Sequence, residues 1–227
     1  MDQFIKDCIG WDVANWSQAL KFWDQNANLP DKPLKCLELG ARNGGLSLWL
    51  ARKGYHVLCS DVEDPESNAS PLHKRYKVSN QIDYQSIDAT DIPYENQFDI
   101  VIFKSMMGAV GWKGRDDLQT KCMNEIYKCL KPGGQLLFAE NLKATAMHQF
   151  FRHKFARWSK SWNYLEISKM DSLLSEFHDF AYQTTGFTGL LGGNEAQRKV
   201  FGALDQSIFQ HTVPQQYRYI IFCIANK

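Results

Sequence analysis

The chain has almost no net charge: 26 lysines and arginines face 25 aspartates and glutamates, leaving +1 over 227 residues. So even a balance gives no broad basic field for wrapping a polyanion, which argues against nucleic acid as a partner while leaving room for a local patch. There is no Cys-x-x-Cys pair among the six scattered cysteines, and Cys36, Cys59 and Cys223 fall inside apolar runs, where a thiol serves as a small hydrophobe. Neither a metal nor a disulfide framework is expected. The longest apolar run, starting at Phe98, is broken by Lys104 well short of a membrane span. The start, Met1 to Asp7, lacks the basic lead and apolar block of a signal peptide, which makes the cytoplasm the expected compartment. Internal repeats, low-complexity segments and the Gly-x-Gly-x-x-Gly pyrophosphate fingerprint are also missing.

What is present is a regular alternation. Val13, Trp16, Leu20 and Trp23 recur at helical spacing, so residues 1–30 are expected to form a helical cap ending near Pro30. Strands are expected at 34–39, 56–59, 82–87, 98–103 and 135–139, with helices at 44–52 and 116–130. The polar, proline-bearing stretch 64–80 reads as loop with room for a short helix. Alternation of this kind predicts a parallel sheet with right-handed crossovers. Further on, Ser168 with Asp171 has the spacing of a capping box for a short helix. A strand is expected within 182–191, a helix over 195–209 and a last strand over 217–225. The breakers Gly192, Gly193 and Pro214 do not resemble linkers, so 1–227 is taken as a single domain.

The chemistry concentrates where strands end. Leu37-Glu38-Leu39-Gly40 is followed by Ala41-Arg42-Asn43-Gly44-Gly45, a strand, glycine-rich turn and helix start. Such a turn lets backbone approach a nucleoside, and a helix N-terminus offers unpaired amides. Asp61 closes the second strand, about twenty residues beyond Gly40, where a carboxylate can accept ribose hydroxyls. Asp88, in Ile87-Asp88-Ala89-Thr90-Asp91, ends the third, and Lys104-Ser105-Met106 ends the fourth. Ligands of open parallel sheets bind at these carboxyl ends.

In this order and spacing, residues 34–140 resemble the class I S-adenosylmethionine (SAM) dependent methyltransferases, helped by the turn Leu130-Lys131-Pro132-Gly133-Gly134. The resemblance implies an α/β, Rossmann-like, doubly wound sheet of seven mostly parallel strands with an antiparallel C-terminal strand. It implies SAM as cofactor and S-adenosylhomocysteine (SAH) as product. By the same resemblance Glu38 organises the turn and the methionine end of SAM. Gly40, Ala41 and Gly44 pass close to its carboxypropyl chain and ribose, Asp61 and Val62 meet the ribose, Asp88 and Ala89 meet adenine, and Lys104 borders the cofactor. Arg42 stands where the family often has glycine. It is either a plain surface residue or a partner for the cofactor's carboxylate or a substrate anion.

No catalytic motif is evident: Lys104-Ser105-Met106-Met107 replaces the Asn-Pro-Pro-Tyr signature of amino methylation. Lys104, His148 and His153 are the candidate catalytic residues, each with a structural alternative. Residues 145–165, aromatic and basic, are expected to form a lid insertion. On a helix, Phe151, Phe155 and Trp158 would share one face, with Arg152, Lys154, Arg157 and Lys160 as a charged rim. The stretch 147–160 could also lie against an anionic membrane or simply pack on the sheet. A small-molecule or amphipathic acceptor, glycan- or lipid-linked among the options and methylated at O or N, fits this texture, which loosely resembles bacterial glycan and secondary-metabolite methyltransferases. An inactive binding protein of the same fold would tend to lose the acids, and a nucleotide-dependent oxidoreductase should carry the missing fingerprint.

Overall fold

The computed structural model describes residues 2–155 and 157–227, the side chains of Phe155, Arg157 and Trp158 lying outside that description. Strands β1 (Lys35–Leu39), β2 (His56–Asp61), β3 (Ile82–Ser86), β4 (Phe98–Lys104), β5 (Leu130–Asn141), β6 (Asp179–Thr185) and β7 (Ile220–Asn226) form one sheet in the order β3-β2-β1-β4-β5-β7-β6. Pairing is parallel from β3 through β5, and β7 runs antiparallel to both neighbours, as the resemblance implies. The order reverses between β1 and β4, the switch point beside which open sheets leave a crevice.

Both faces of the sheet are covered, so its central strands are apolar on both sides. Cys36, Cys59, Ile100, Ile102, Leu137 and Phe222 point into one core, alongside α1 (Gln3–Ile9), α2 (Val13–Asn26), α3 (Gly45–Ala51) and α4 (Pro65–Arg75). Leu37, Val101, Phe103, Phe138 and Cys223 point into the other, beneath α5 (Met107–Val110), α6 (Asp116–Cys129) and α8 (Met170–Leu173). The helix α7 (Ala146–Phe155) follows β5, and α9 (Glu195–Leu204) continues through a π-turn at Asp205–Phe209.

Several expectations need correction. The stretch read mainly as loop is mostly helix, over Pro65–Arg75: Asp64 accepts the Ser67 amide at 3.2 Å, and Pro65 occupies the first turn, where its missing N–H costs nothing. The N-terminal stretch is two helices, split where Gly10 (φ 88) and Asp12 (φ 42) turn left-handed. Strand β5 begins at Leu130 and absorbs the Lys131-Pro132-Gly133-Gly134 turn, with its register against β4 shifting there. Strand β6 lies earlier than expected, and Ser168 caps nothing: a 3₁₀ turn at Ile167–Lys169 leads into α8 without a side-chain cap. The helix α7 departs from the expected polarity at Arg152, while Lys154 and Lys160 are exposed and Phe151 is half-buried, as expected. Arg152 is only 4% exposed, whereas Phe150, which the pattern did not single out, is 61% exposed. The parts of that expectation resting on Phe155, Arg157 and Trp158 lie outside the described side chains. Among the described residues no helix is long and apolar enough to cross a membrane.

Candidate functional site at the strand ends

Strand β1 ends in a turn with three left-handed residues, Gly40 (φ 61), Arg42 (φ 52) and Gly44 (φ 73). A side chain at Gly44 would fall 2.5 Å from the His73 imidazole. His73 is fixed there, Nε2 donating to the Gly44 carbonyl at 2.9 Å and Nδ1 meeting the Tyr84 hydroxyl at 2.8 Å. A carbonyl only accepts, so Nε2 carries the proton, and burial pushes the imidazole's pKa down toward the neutral form.

The rest of the turn is bound to β2. The Ala41 amide donates to the Ser60 carbonyl at 2.9 Å, and the Arg42 amide donates to Asp61 Oδ2 at 2.8 Å. Asp61 Oδ1 accepts the Val62 amide at 2.8 Å, so this half-buried carboxylate keeps lone pairs for a ligand on each oxygen. The Ile87 amide donates to the Asp61 carbonyl at 2.9 Å, bringing the end of β3 alongside. There Asp88 is exposed: Oδ1 is taken by the Thr90 amide and hydroxyl, each at 2.8 Å, and Oδ2 meets no donor among the described residues. Ala89 is buried beneath it, and Val62 is exposed beside Asp61.

Glu38 is buried under the turn and spends its carboxylate on α3. Oε2 accepts the Ser47 amide at 2.7 Å as well as the Ser47 hydroxyl, and Oε1 accepts the Leu46 amide at 3.3 Å. Two of the helix N-terminal amides that the sequence offered to a ligand are therefore consumed by the protein. Burial pushes the Glu38 carboxyl up to about 7 against these hydrogen bonds.

At the ends of β4 and β5 a second buried carboxylate, Glu140, plays the matching part. Oε2 accepts the amides of Met106 and Met107 at 2.7 Å each, and Oε1 accepts that of Asn141 at 2.7 Å. This fixes the bend after β4, where Ser105 is left-handed (φ 54) and Met106 comes to rest against Gly40. Lys104 places its ammonium 4.9 Å over the Trp16 ring. Burial, then the Arg42 charge, lower its pKa to about 8, opposed by Glu140, Glu38 and Asp12.

The histidine candidates part company. His148 is fully buried, with Nε2 donating to the Phe187 carbonyl and Nδ1 facing the Thr145 hydroxyl, both at 2.7 Å. His153 is exposed on α7. Among the described residues no three His, Cys, Asp or Glu side chains gather into a metal site.

Sequence reasoning missed a buried polar knot behind Lys104. The Tyr219 hydroxyl donates to Asp12 Oδ2 at 2.6 Å, and Asn15 Nδ2 donates to that hydroxyl at 2.9 Å and to Asp205 Oδ2 at 3.0 Å. Asp205 also accepts from Thr188 and Gly189, so the start of α2, the π-turn and the approach to β7 are joined at one point. Its members lie up to 207 residues apart and carried no local signal, whereas Glu140, outside the knot and also missed, is a carboxylate at a strand end like Glu38 and could have been found by that.

Comparison with known proteins agrees with this geometry. Residues 37–138 match the sequence profile of a methyltransferase domain. The chain is 32% identical over 132 residues to the non-reducing polyketide synthase prhL of Penicillium brasilianum, covering 55% of this chain and 5% of that much larger protein. It is 26% identical over 173 residues to the ubiquinone biosynthesis O-methyltransferase of Sinorhizobium fredii, covering 74% of this chain and 67% of that one. Among solved structures, phosphoethanolamine N-methyltransferase 2 of Haemonchus contortus, in complex with S-adenosyl-L-methionine, superposes with a TM-score of 0.65 at 17% identity, over 97% of this chain and 56% of that one.

Proposed function

We propose that this chain, whose residues 37–138 match a methyltransferase domain, is a class I SAM-dependent methyltransferase that moves the sulfonium methyl group of SAM onto a small-molecule acceptor at the carboxyl ends of β1 and β4. The observation that carries this reading is the register of the strand-end acids: Asp61 holds the Arg42 amide while keeping lone pairs, and Asp88 stands beside it with Oδ2 unused. Asp61 accepts the ribose hydroxyls, Asp88 the adenine amine, and Val62 and Ala89 flank the base. The turn through Gly40, Ala41, Arg42 and Gly44 lets backbone approach the methionine end, with Glu38 fixing its shape from below.

SAM supplies an activated methyl group, so the protein has to align the acceptor in line with it and exclude water. The acceptor is methylated at oxygen or nitrogen, and residues 145–165 form the lid over it. Lys104 is the group placed to hold or take the acceptor's proton; His148, with both nitrogens engaged, supports α7 instead. If Lys104 acts as base, it is competent when neutral, so the rate should rise with pH through about 8. A pH–rate profile of Lys104→Met lacking that limb is the expected result; an unchanged limb would remove Lys104 from the chemistry.

Calorimetric titration with SAM, SAH and NADH tests the whole reading: the first two should bind and NADH should not, and absence of SAM and SAH binding would sink it. Asp61→Ala removes the ribose acceptor and unties the Arg42 amide. Hydrogen bonds to a charged group are worth about 1.5–3 kcal/mol, so SAM affinity should fall by at least about tenfold. An unchanged dissociation constant would place the ribose elsewhere.

A further inference from the structure

Arg152 is a buried cation that has no ion-pair partner among the described residues. Its Nη1 donates to the Leu142 carbonyl at 2.7 Å, at the carboxyl end of β5, and its guanidinium lies 4.4 Å over the Tyr164 ring and 5.9 Å from that of Tyr219. Leu142 is in turn bound to Tyr219, its amide donating to the Tyr219 carbonyl at 2.9 Å. Nη2 is buried and has no hydrogen-bond partner among the described residues. The carboxylate whose charge Arg152 feels is Glu140, and both oxygens of Glu140 are spent on backbone amides.

Capping a strand end does not account for this arrangement. A guanidinium taken out of water is costly unless an acceptor answers it, and its rigid fork suits a carboxylate or phosphate offered side-on. Two further donors lack a hydrogen-bond acceptor among the described residues. The half-buried Lys104 ammonium, which also feels Glu140, faces the Trp16 ring and makes no hydrogen bond among the described residues, and the indole N–H of Trp16 beneath it is buried without a partner among them. Three donors short of acceptors, at adjoining strand ends on the side where the acceptor must enter, call for negative charge brought by a ligand.

We propose that the methyl acceptor carries an anionic group, a carboxylate or a phosphate, that docks on the Nη2 side of Arg152 between the Tyr164 and Tyr219 rings. This rests on the methyltransferase reading and adds the acceptor's chemical class to it. Arg152 is then a specificity residue that anchors the acceptor's far end, with Lys104 at the end facing the methyl group.

Paired probes test it on the full chain loaded with SAH: benzoate against benzamide, and phenyl phosphate against phenol, titrated by calorimetry or ligand-observed NMR. At least one anion should bind about tenfold or more tightly than its neutral partner, the scale of a charge-assisted hydrogen bond, and which one does identifies carboxylate or phosphate. Arg152→Met should erase that preference while leaving SAH affinity within about twofold of wild type. If the methionine variant fails to fold, Arg152→Lys serves: it keeps the charge and a carbonyl bond, loses the fork, and should lose most of the preference. Equal affinity within both pairs for wild type overturns the proposal, as does a preference that survives in the variant that folds. Failure of wild type to bind SAH would overturn the methyltransferase reading instead.

Discussion

Glu38→Ala should cost the fold about 3–5 kcal/mol and abolish SAM binding at ordinary concentrations. The carboxylate answers the amides of Leu46 and Ser47 and the Ser47 hydroxyl, all in a buried environment. Alanine leaves these donors with nothing to accept them, at about 1–3 kcal/mol each for a buried unmade bond, and removes the strut that sets the Gly40–Gly44 turn. Glu38→Gln separates shape from charge, since its amide oxygen can keep the Ser47 contacts and only the weaker Leu46 bond is lost. It should therefore lose much less stability and retain measurable SAM affinity. The sign of the pH dependence follows from burial raising the folded Glu38 carboxyl to about 7 from an ordinary value near 4.5. A raised carboxyl favours the folded state at low pH, and that contribution fades as pH rises through about 7. Denaturant melts from pH 5 to 9 should show wild type losing ground relative to Glu38→Gln. A constant gap would mean that Glu38 is ionised throughout.

The legible part of the site was the part written locally. Gly40, Asp61 and Asp88 each close a short apolar run, so strand periodicity alone placed them at one edge of the sheet, and the structure joins them through the Arg42 and Ile87 amides. The helix α4 was obscured because Pro65 and Pro71 read as breakers, although a first-turn proline behind a capping Asp64 is a start signal. The burial of Arg152 on α7 has a different origin. By sequence Arg152 belongs to a basic, solvated rim, but the aromatic rings that cover it come from Tyr164 and Tyr219, outside the helix. The Asp12–Tyr219 knot is likewise a product of tertiary closure, in which burial raises the Asp12 carboxyl to about 7 and no local pattern records the partner. Local pattern thus reaches the proposed cofactor end of the site and stops short of the proposed acceptor end, whose side chains meet only once α2, α7 and β7 have packed.

Gly45→Ala should detach α1 from the body of the protein and lower stability by about 2–3 kcal/mol, in the range of a core overpacking change. Gly45 opens α3 and is buried; a methyl group there would overlap the carbonyl oxygen of Cys8, which is helix backbone and cannot rotate away as a side chain would. Either α3 or α1 must move. The former is held by Glu38 and flanked by the sheet, while α1 spans only Gln3–Ile9, too short to persist without its docking surface. The strain should therefore displace α1, exposing Cys8 and Ile9 and pulling Asp7 away from the Tyr76 hydroxyl it accepts from at 2.7 Å. Amide exchange should accelerate across residues 3–9 with the strands still protected, and a protease should gain access near Gly10. Protection in α1 equal to wild type, at unchanged stability, would show that the first turn of α3 has more room than the Cys8 carbonyl allows. Because α1 also bears on α4 through Asp7, its loss should loosen the His73 contact to Gly44 and weaken SAM binding by a smaller factor than Glu38→Ala does.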